Sequence, residues 1–430
     1  MPPPVPPGID PPPAIAWLYG LQKFGVKLGL DPMRAMLARL GDPQRRLRAI
    51  HVAGTNGKGS VSAMLDAMLG SAGVRTGLYT SPHLVRPNER VRIAGRDLGD
   101  RELTARIERM RARIAGWLAD GTLEAHPSFF EVMTAIAFES FADAGVEAAV
   151  VEVGLGGRLD ATNVLDADVA VIVTVDLDHT RVLGDSLEAI AAEKAGIVKA
   201  GRPVVVGALA EPALRVVRAT AEELRAPLIE APRVARRHVG VRLALEGAHQ
   251  SDNAHVACVA AETFARATGI GLGEDAIARG LANARWPGRL QRIPGRPPIV
   301  LDGAHNPAGA RALGQWLASR AAAAPARVLV FGVSADKDLA GLLEPLAPWI
   351  GCLVVTRAAV DRAMDPEAIV AFARGRFAQI HRAEPAEAAL QLARELAGDD
   401  GEVLVAGSLY LVGELLAHLD SGDAPGPVPL

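Results

Sequence analysis

The sequence predicts an α/β protein of two domains, each a parallel sheet covered by helices. Three observations predict it. Near-continuous Val/Ile/Ala runs alternate with long amphipathic stretches, the pattern of strands buried on both faces. The chain has 430 residues, too many for one ordinary core. Near residue 290 the texture changes: Arg285-Trp286-Pro287-Gly288-Arg289 and then Pro294-Gly295-Arg296-Pro297-Pro298 read as a linker. The expectation is a P-loop-containing parallel-sheet N-terminal domain over residues 14–292 and a smaller, Rossmann-like α/β C-terminal domain over 293–419. A lead of residues 1–13, with eight prolines, and a tail of 420–430 are expected to be disordered.

In chain order, the apolar, β-branched run Leu47–Ala53 is the first strand. It enters a seven-residue turn, Gly54-Thr55-Asn56-Gly57-Lys58-Gly59-Ser60. A helical run follows with Val61, Met64, Leu65, Met68 and Leu69 on one face. Further strands are expected at Val74–Thr80, Val146–Val153, Asp168–Val175 and Pro203–Gly207, with helices such as Phe130–Ala144 and Leu187–Val198 between them. Past the linker, strands are expected at Ile299–Asp302, Arg327–Val333, Cys352–Thr356 and Glu402–Ala406.

The turn carries chemistry. Strand, glycine turn and helix aim backbone N–H groups and a helix N-terminus at one spot, which favours a phosphate. Lys58 adds a cation for the β/γ-phosphates, and the Ser60 hydroxyl reaches Mg²⁺ or a phosphate oxygen. A nucleoside triphosphate is the expected ligand. The turn departs from the common P-loop: two residues, not four, separate Gly54 from Gly57-Lys58, and Gly59 stands between Lys58 and Ser60.

In open parallel sheets the ligand crevice lies beyond the carboxyl ends of the strands. Those ends carry Ser81-Pro82-His83, then Glu152 followed by Gly154-Leu155-Gly156-Gly157-Arg158-Leu159-Asp160, then Asp176-Leu177-Asp178-His179. Such oxygen-rich groups beside a triphosphate suit Mg²⁺. Taken singly, each has a plainer reading. The glycine run misses the G-x-G-x-x-G spacing, His179 reads as a structural or capping histidine, Glu152 as an ion-pair partner of Arg158, and Lys194 as a solvated helix residue.

Composition excludes other classes. The formal net charge is −3 with no long basic block, so neither nucleic acid nor an anionic membrane surface is an expected partner. No apolar run reaches the ~20 residues of a membrane helix, and the Pro-rich lead has no signal-peptide pattern. The two cysteines, Cys258 and Cys352, lie in apolar runs and read as buried thiols of a reducing compartment, hence a cytoplasmic protein.

The joint order of these motifs resembles the folylpolyglutamate synthase/dihydrofolate synthase family of the Mur-ligase superfamily, from about Ala14 to Leu419. The resemblance rests on His51-Val52-Ala53-Gly54-Thr55-Asn56-Gly57-Lys58-Gly59-Ser60, Thr80-Ser81-Pro82-His83-Leu84, Asn88-Glu89-Arg90-Val91 and Glu152 to Asn163. It continues through Leu177-Asp178-His179-Thr180, Glu193-Lys194-Ala195-Gly196-Ile197, Pro287-Gly288-Arg289, Leu301-Asp302-Gly303-Ala304-His305-Asn306-Pro307 and Asp336-Lys337-Asp338. It implies that Thr55, Asn56, Gly57, Lys58, Gly59 and Ser60, with Asn253, Arg289 and Asp302, contact ATP. It implies that Ser81, Glu152 and His179 ligate two Mg²⁺ ions. Ser128, Phe129, Phe130, Glu131, Leu159, Asp160 and Ala161 would line the pterin site. Lys194 matches a carbamylated lysine, and His305 and Ser408 lie near the incoming glutamate. The loop Phe24–Leu30 fits more loosely, with Lys27 where an acid is often seen, and Pro127-Ser128 replaces a more usual Leu-Thr or Pro-Thr.

The implied reaction is ATP-dependent amide formation between L-glutamate and a pterin carboxylate, through an acyl phosphate. The acceptor is dihydropteroate, a reduced folate, or both, and a monomer is expected. With Arg289 and Asp302 supplied from the linker and beyond it, the site is expected to be complete only when the domains close. The alternatives are a folylpolyglutamate synthase alone, another Mur-type amino-acid ligase, or a nucleotide switch. A cell-wall ligase would need a further N-terminal domain, and the phosphate turn begins only about fifty residues in, too soon for one.

Overall fold

The computed structural model describes residues 11–25, 29–236, 240–320 and 326–421. Lys27, most of the Pro-rich lead and most of the tail lie outside the described residues. Where lead and tail are described, they are shorter than expected. Pro13 is the first residue of the helix Pro13–Gly20, a position that tolerates proline because its N–H would be unbonded anyway, and Asp420 closes the helix Leu409–Asp420.

The chain forms two compact units. The first runs up to Ala244 and resumes over Gln250–Arg285; the second takes Leu245–His249 and everything described from Trp286 on. The first unit holds β1 (Ala49–Ala53), β2 (Thr76–Tyr79), β3 (Val91–Ile93), β4 (Arg96–Asp97), β5 (Ala148–Glu152), β6 (Val169–Ile172), β7 (Val204–Val206) and β8 (Leu228–Glu230). They lie in the order β4-β3-β2-β5-β1-β6-β7-β8. Only β3 and β4 run antiparallel to their neighbours, as an edge hairpin the sequence pattern did not reveal. The strands with candidate residues at their ends, β2, β5, β1 and β6, are consecutive neighbours.

Burial explains the elements. Strands β1 and β5 are buried along their whole length. β1, β2 and β5 give Ala49, Tyr79, Ala149 and Val151 to one apolar cluster; β6 and β7 give Ala170, Ile172, Val204 and Val206 to another. Val61, Met64, Leu65, Met68 and Leu69, on the helix Lys58–Ser71, are completely buried. That helix begins inside the glycine turn, so its packing anchors the turn.

The second unit holds β9 (Gln291–Ile293), β10 (Ile299–Leu301), β11 (Arg327–Phe331), β12 (Cys352–Val355), β13 (Gln379–Arg382) and β14 (Glu402–Ala406), ordered β13-β12-β11-β14-β10-β9. All pairs are parallel except β9 with β10, which register Ile293 against Ile299. This corrects the linker reading. Pro294 to Pro298 is the turn of a hairpin, and the unit begins at Trp286, ahead of the expected boundary at residue 293. Proline and glycine serve tight turns and linkers alike, so composition could not separate the two.

Both cysteines are buried and unpaired, and burial pushes the Cys258 thiol up to about 12. Among the described residues no helix is long and apolar enough to cross a membrane.

Candidate functional site

The glycine turn is fastened to the loop after β6. Thr55 N–H donates to the Thr174 carbonyl at 2.9 Å, and Asn56 N–H to Thr174 Oγ1 at 2.9 Å. Thr55 Oγ1 donates to the Asp176 carbonyl at 3.1 Å and accepts the Asp176 N–H at 3.0 Å. Gly57 sits at φ +80°, and a Cβ there would come within 2.6 Å of Asn253 Oδ1 and 2.8 Å of Val173 Cγ1. Lys58 Nζ donates to the carbonyls of Gly54 (3.0 Å) and Thr55 (3.2 Å), so its ammonium lies over the turn. Ser60 Oγ accepts from Gln250 Nε2 at 3.2 Å, and Gln250 in turn accepts from Asn253 Nδ2 at 3.0 Å. The helix Ala248–Thr268 thus joins the turn through two polar residues three positions apart on one face. Asn253 was a sequence candidate; Gln250 was missed, although the same i, i+3 spacing points to it.

At the next strand ends, Ser81 N–H donates to Glu152 Oε2 at 3.1 Å, and the Glu152 side chain is buried. The reading of Glu152 as a partner of Arg158 fails: Arg158 pairs with Glu193 at 2.8 Å. His179 is carried on the loop after β6, exposed, at φ +51°, with no side-chain cap bond to the short helix Thr180–Leu183. Ser81 and Glu152 are therefore in contact, while His179 stands at the end of the strand two places along. Among the described residues no three His, Cys, Asp or Glu side chains gather as a metal cage. One buried carboxylate, Glu152, held by the Ser81 backbone N–H, with a triphosphate to supply further oxygens, nonetheless fits Mg²⁺, which binds through few protein ligands.

Lys194 is only 3 % exposed, which overturns its reading as a solvated helix residue. Burial, reinforced by the positive charge of Lys58, brings its ammonium down to about 7, against the pull of Asp178 and Asp176. These electrostatic neighbours put Lys194 with the phosphate turn and the loop after β6.

The glycine run after Glu152 is shaped by packing. A Cβ on Gly154 would lie 2.6 Å from the Phe130 ring. Phe129 and Phe130 open the helix Phe129–Asp143, which Ser128 and Glu131 cap reciprocally: Ser128 N–H donates to Glu131 Oε2 at 2.7 Å, and Glu131 N–H to Ser128 Oγ at 3.3 Å. Asp160 is buried and accepts from Leu155 N–H at 2.9 Å and Thr162 N–H at 3.0 Å; burial pushes its carboxyl up while these bonds hold it down. Leu159 is half-buried and Ala161 buried beside it.

In the second unit, Asp302 follows β10 and ties two backbone N–H groups, Leu290 on Oδ2 and Ala304 on Oδ1, both at 2.9 Å. Burial pushes this carboxyl up, and the Arg289 guanidinium opposes it. His305 Nδ1–H donates to the Gly303 carbonyl at 2.8 Å. Ser408, after β14, caps the helix Leu409–Asp420 by accepting Tyr410 N–H at 3.2 Å. Arg289, Asp302, His305 and Ser408 therefore share the carboxyl-end side of β10 and its neighbour β14.

A family model described as "Mur ligase, glutamate ligase domain" matches residues 288–409. The dihydrofolate synthase/folylpolyglutamate synthase of Bacillus subtilis is 34% identical over 427 residues, covering 94% of this chain and 98% of that one. The chain belongs to the dihydrofolate synthase/folylpolyglutamate synthase family. The Lacticaseibacillus casei folylpolyglutamate synthase is another family member, 33% identical across 95% of this chain and 99% of its own. Among solved structures, Mycobacterium tuberculosis folylpolyglutamate synthase complexed with ADP and AMPPCP superposes with a TM-score of 0.86 at 35% identity, covering 96% of this chain and 100% of that one. E. coli FolC in complex with DHPP and ADP gives 0.84 at 31%, covering 96% and 99%.

Within two of the quoted motifs, reasoning from sequence assigned no role to His83 and Arg90, and it missed their partner Tyr19. Arg90 Nε donates to His83 Nδ1 at 2.7 Å, His83 Nε2 meets Tyr19 Oη at 3.0 Å, and the Arg90 guanidinium lies 5.0 Å from the Phe129 ring centroid. Tyr19 gave no signal because one tyrosine in an apolar helix reads as core.

Proposed function

We propose that this chain uses ATP to join the amine of L-glutamate to a pterin carboxylate, making dihydrofolate from dihydropteroate and extending the glutamate chain of reduced folates. The observation that carries the reading is the adjacency of β2, β5, β1 and β6. It gathers the Lys58 turn, the Ser81–Glu152 contact and the buried Lys194 at one sheet end, in a chain spanning nearly the whole length of its relatives.

A carboxylate is a poor electrophile, so the acceptor carboxylate attacks the γ-phosphorus and ADP leaves, giving an acyl phosphate. The glutamate amine, deprotonated, adds to the acyl carbon, and the tetrahedral intermediate expels phosphate to leave the amide. Lys58 and the turn N–H groups bind and orient the triphosphate; their fixed positive charge meets the charge that builds on the transferring group. Ser81, Glu152 and His179 would hold Mg²⁺, whose charge neutralises phosphate oxygens when bound. Lys194, with a readily neutral amine, would take up carbon dioxide and become a carbamate anion. Phe129, Phe130 and Asp160 would face the pterin; Arg289, Asp302, His305 and Ser408 would serve ATP and glutamate. Residues 14–244 with 250–285 would form the ATP- and folate-binding domain, and Leu245–His249 with 286–419 the ligase domain. The reading includes a cytoplasmic monomer, which two buried free thiols suit.

The test is incubation with ATP, Mg²⁺ and L-glutamate, offering dihydropteroate or tetrahydrofolate separately, with products read by mass spectrometry. One added glutamate on dihydropteroate and one or more on tetrahydrofolate are expected, with phosphate release only when acceptor and glutamate are both present. Products from tetrahydrofolate alone would restrict the activity to polyglutamylation. No adduct on either acceptor would sink the reading.

A further inference from the structure

His51 lies in β1, three residues before the phosphate turn, and its side chain is fully buried. It plays no part in the site described above. Its Nε2 is 2.8 Å from Thr162 Oγ1, and Thr162, also fully buried, donates its hydroxyl proton to Asp160 Oδ1. The direction of each bond follows from the others. Asp160 Oδ1 also accepts the Thr162 N–H and Oδ2 the Leu155 N–H, so this carboxylate is an acceptor on both oxygens. Thr162 has one hydroxyl proton and Asp160 takes it; toward His51 its oxygen can only accept. His51 must carry its proton on Nε2, which leaves Nδ1 unprotonated, and that atom has no hydrogen-bond partner among the described residues. A neutral ring agrees with this: burial, then the positive charge of Lys199, push His51 down to about 3.

The outcome is a one-way chain of donors, from His51 to Thr162 to Asp160. It links two places that must be held at a fixed separation for an acceptor carboxylate to meet a γ-phosphate. β1 runs directly into the turn that binds the triphosphate, and Asp160 closes the loop that leaves β5 at Glu152. A leucine would fill much of the same space without stranding Nδ1; it could not orient the Thr162 hydroxyl. We propose that His51 is a positioning residue: through Thr162 it holds the Asp160 carboxylate, and with it the acceptor-binding loop, in register with the phosphate turn. This rests on the reading of Asp160 as part of the pterin site.

Steady-state kinetics on the full-length enzyme, with ATP, Mg²⁺, L-glutamate and whichever pterin acceptor it turns over, test this. His51→Leu loses the donor, whereas His51→Gln keeps an N–H for Thr162. Thr162→Val and Thr162→Ser form a second pair of the same design. The expected result is that His51→Leu and Thr162→Val lower kcat/KM for the acceptor by about tenfold or more, leave KM for ATP within about twofold, and are largely rescued in the Gln and Ser variants. Equal losses in Leu and Gln and in Val and Ser, or a parallel rise in KM for ATP, would mean packing alone and overturn the proposal. If His51→Leu does not fold, the Thr162 pair decides. Asp160→Asn in the same series separates the premises. An unchanged acceptor KM there removes Asp160 from the acceptor site and the proposal with it. A raised acceptor KM there, with wild-type behaviour in His51→Leu and Thr162→Val, leaves the site reading standing and rejects the relay alone.

Discussion

Lys194 shows how one residue's chemistry is set by where it is buried. At its ordinary value an exposed lysine is about one part in three thousand neutral at pH 7. Burial beside Lys58 brings Lys194 to about 7, so the free amine that carbamylation would require is far more populated than in an exposed lysine. The linkage sign follows. Its folded value lies below the unfolded one, so between about 7 and 10.5 the unfolded chain binds more protons and stability rises with pH. Below that window both states are charged and the burial penalty is carried in full. Urea unfolding of protein kept free of carbon dioxide should therefore show stability increasing across that window, with the increase flattened in Lys194→Met. Activity lost on depleting carbon dioxide should return when carbon dioxide is restored, faster at about pH 8 than at about pH 6 when the dissolved carbon dioxide is held equal at the two. Wild-type activity in Lys194→Met would remove Lys194 from the mechanism.

At the scale of elements, the glycine turn keeps its shape because strand β1, the turn and the helix Lys58–Ser71 are each held by burial or by Thr174 and Asp176. Gly57 is its tightest point. Gly57→Ala places a methyl against Asn253 and Val173 at a left-handed φ, so it should cost about 1–3 kcal/mol of stability. It should also weaken ATP binding by about tenfold or more. Calorimetric unfolding and nucleotide titration check both, and unchanged ATP affinity would mean the turn is not the nucleotide site. Much of this element was legible from the chain: the apolar run, the glycines and the helical period are local signals. Other elements were not. Three-residue strands such as Val91–Ile93 and Gln291–Ile293 carry too little period-two pattern to stand out, and the proline cluster hid a hairpin turn. The glycine run after Glu152 read as a weak nucleotide motif, but the Phe130 ring over Gly154 is what excludes a side chain there.

For the whole molecule, two units with separate sheets and separate apolar clusters make a single unfolding transition an unsafe expectation. Calorimetry should resolve two transitions. ATP with Mg²⁺ at about a hundred times its dissociation constant should raise the first unit's transition by about 5–10 °C, and Lys58→Ala should abolish that rise. A single transition that ATP leaves in place would count against both the division and the site. The sequence by itself determined the α/β alternation, the strand–glycine-turn–helix unit and the family, because periodic burial and motif spacing are written along the chain. Only the tertiary structure decided that Lys194 is buried and that Glu152 receives Ser81 rather than Arg158. It alone showed that His51 reaches Asp160 through Thr162. Desolvation and hydrogen-bond partnership depend on neighbours brought from far along the chain: 111 positions separate His51 from Thr162, and 190 separate Ser60 from Gln250. No local pattern encodes which distant side chain will stand there.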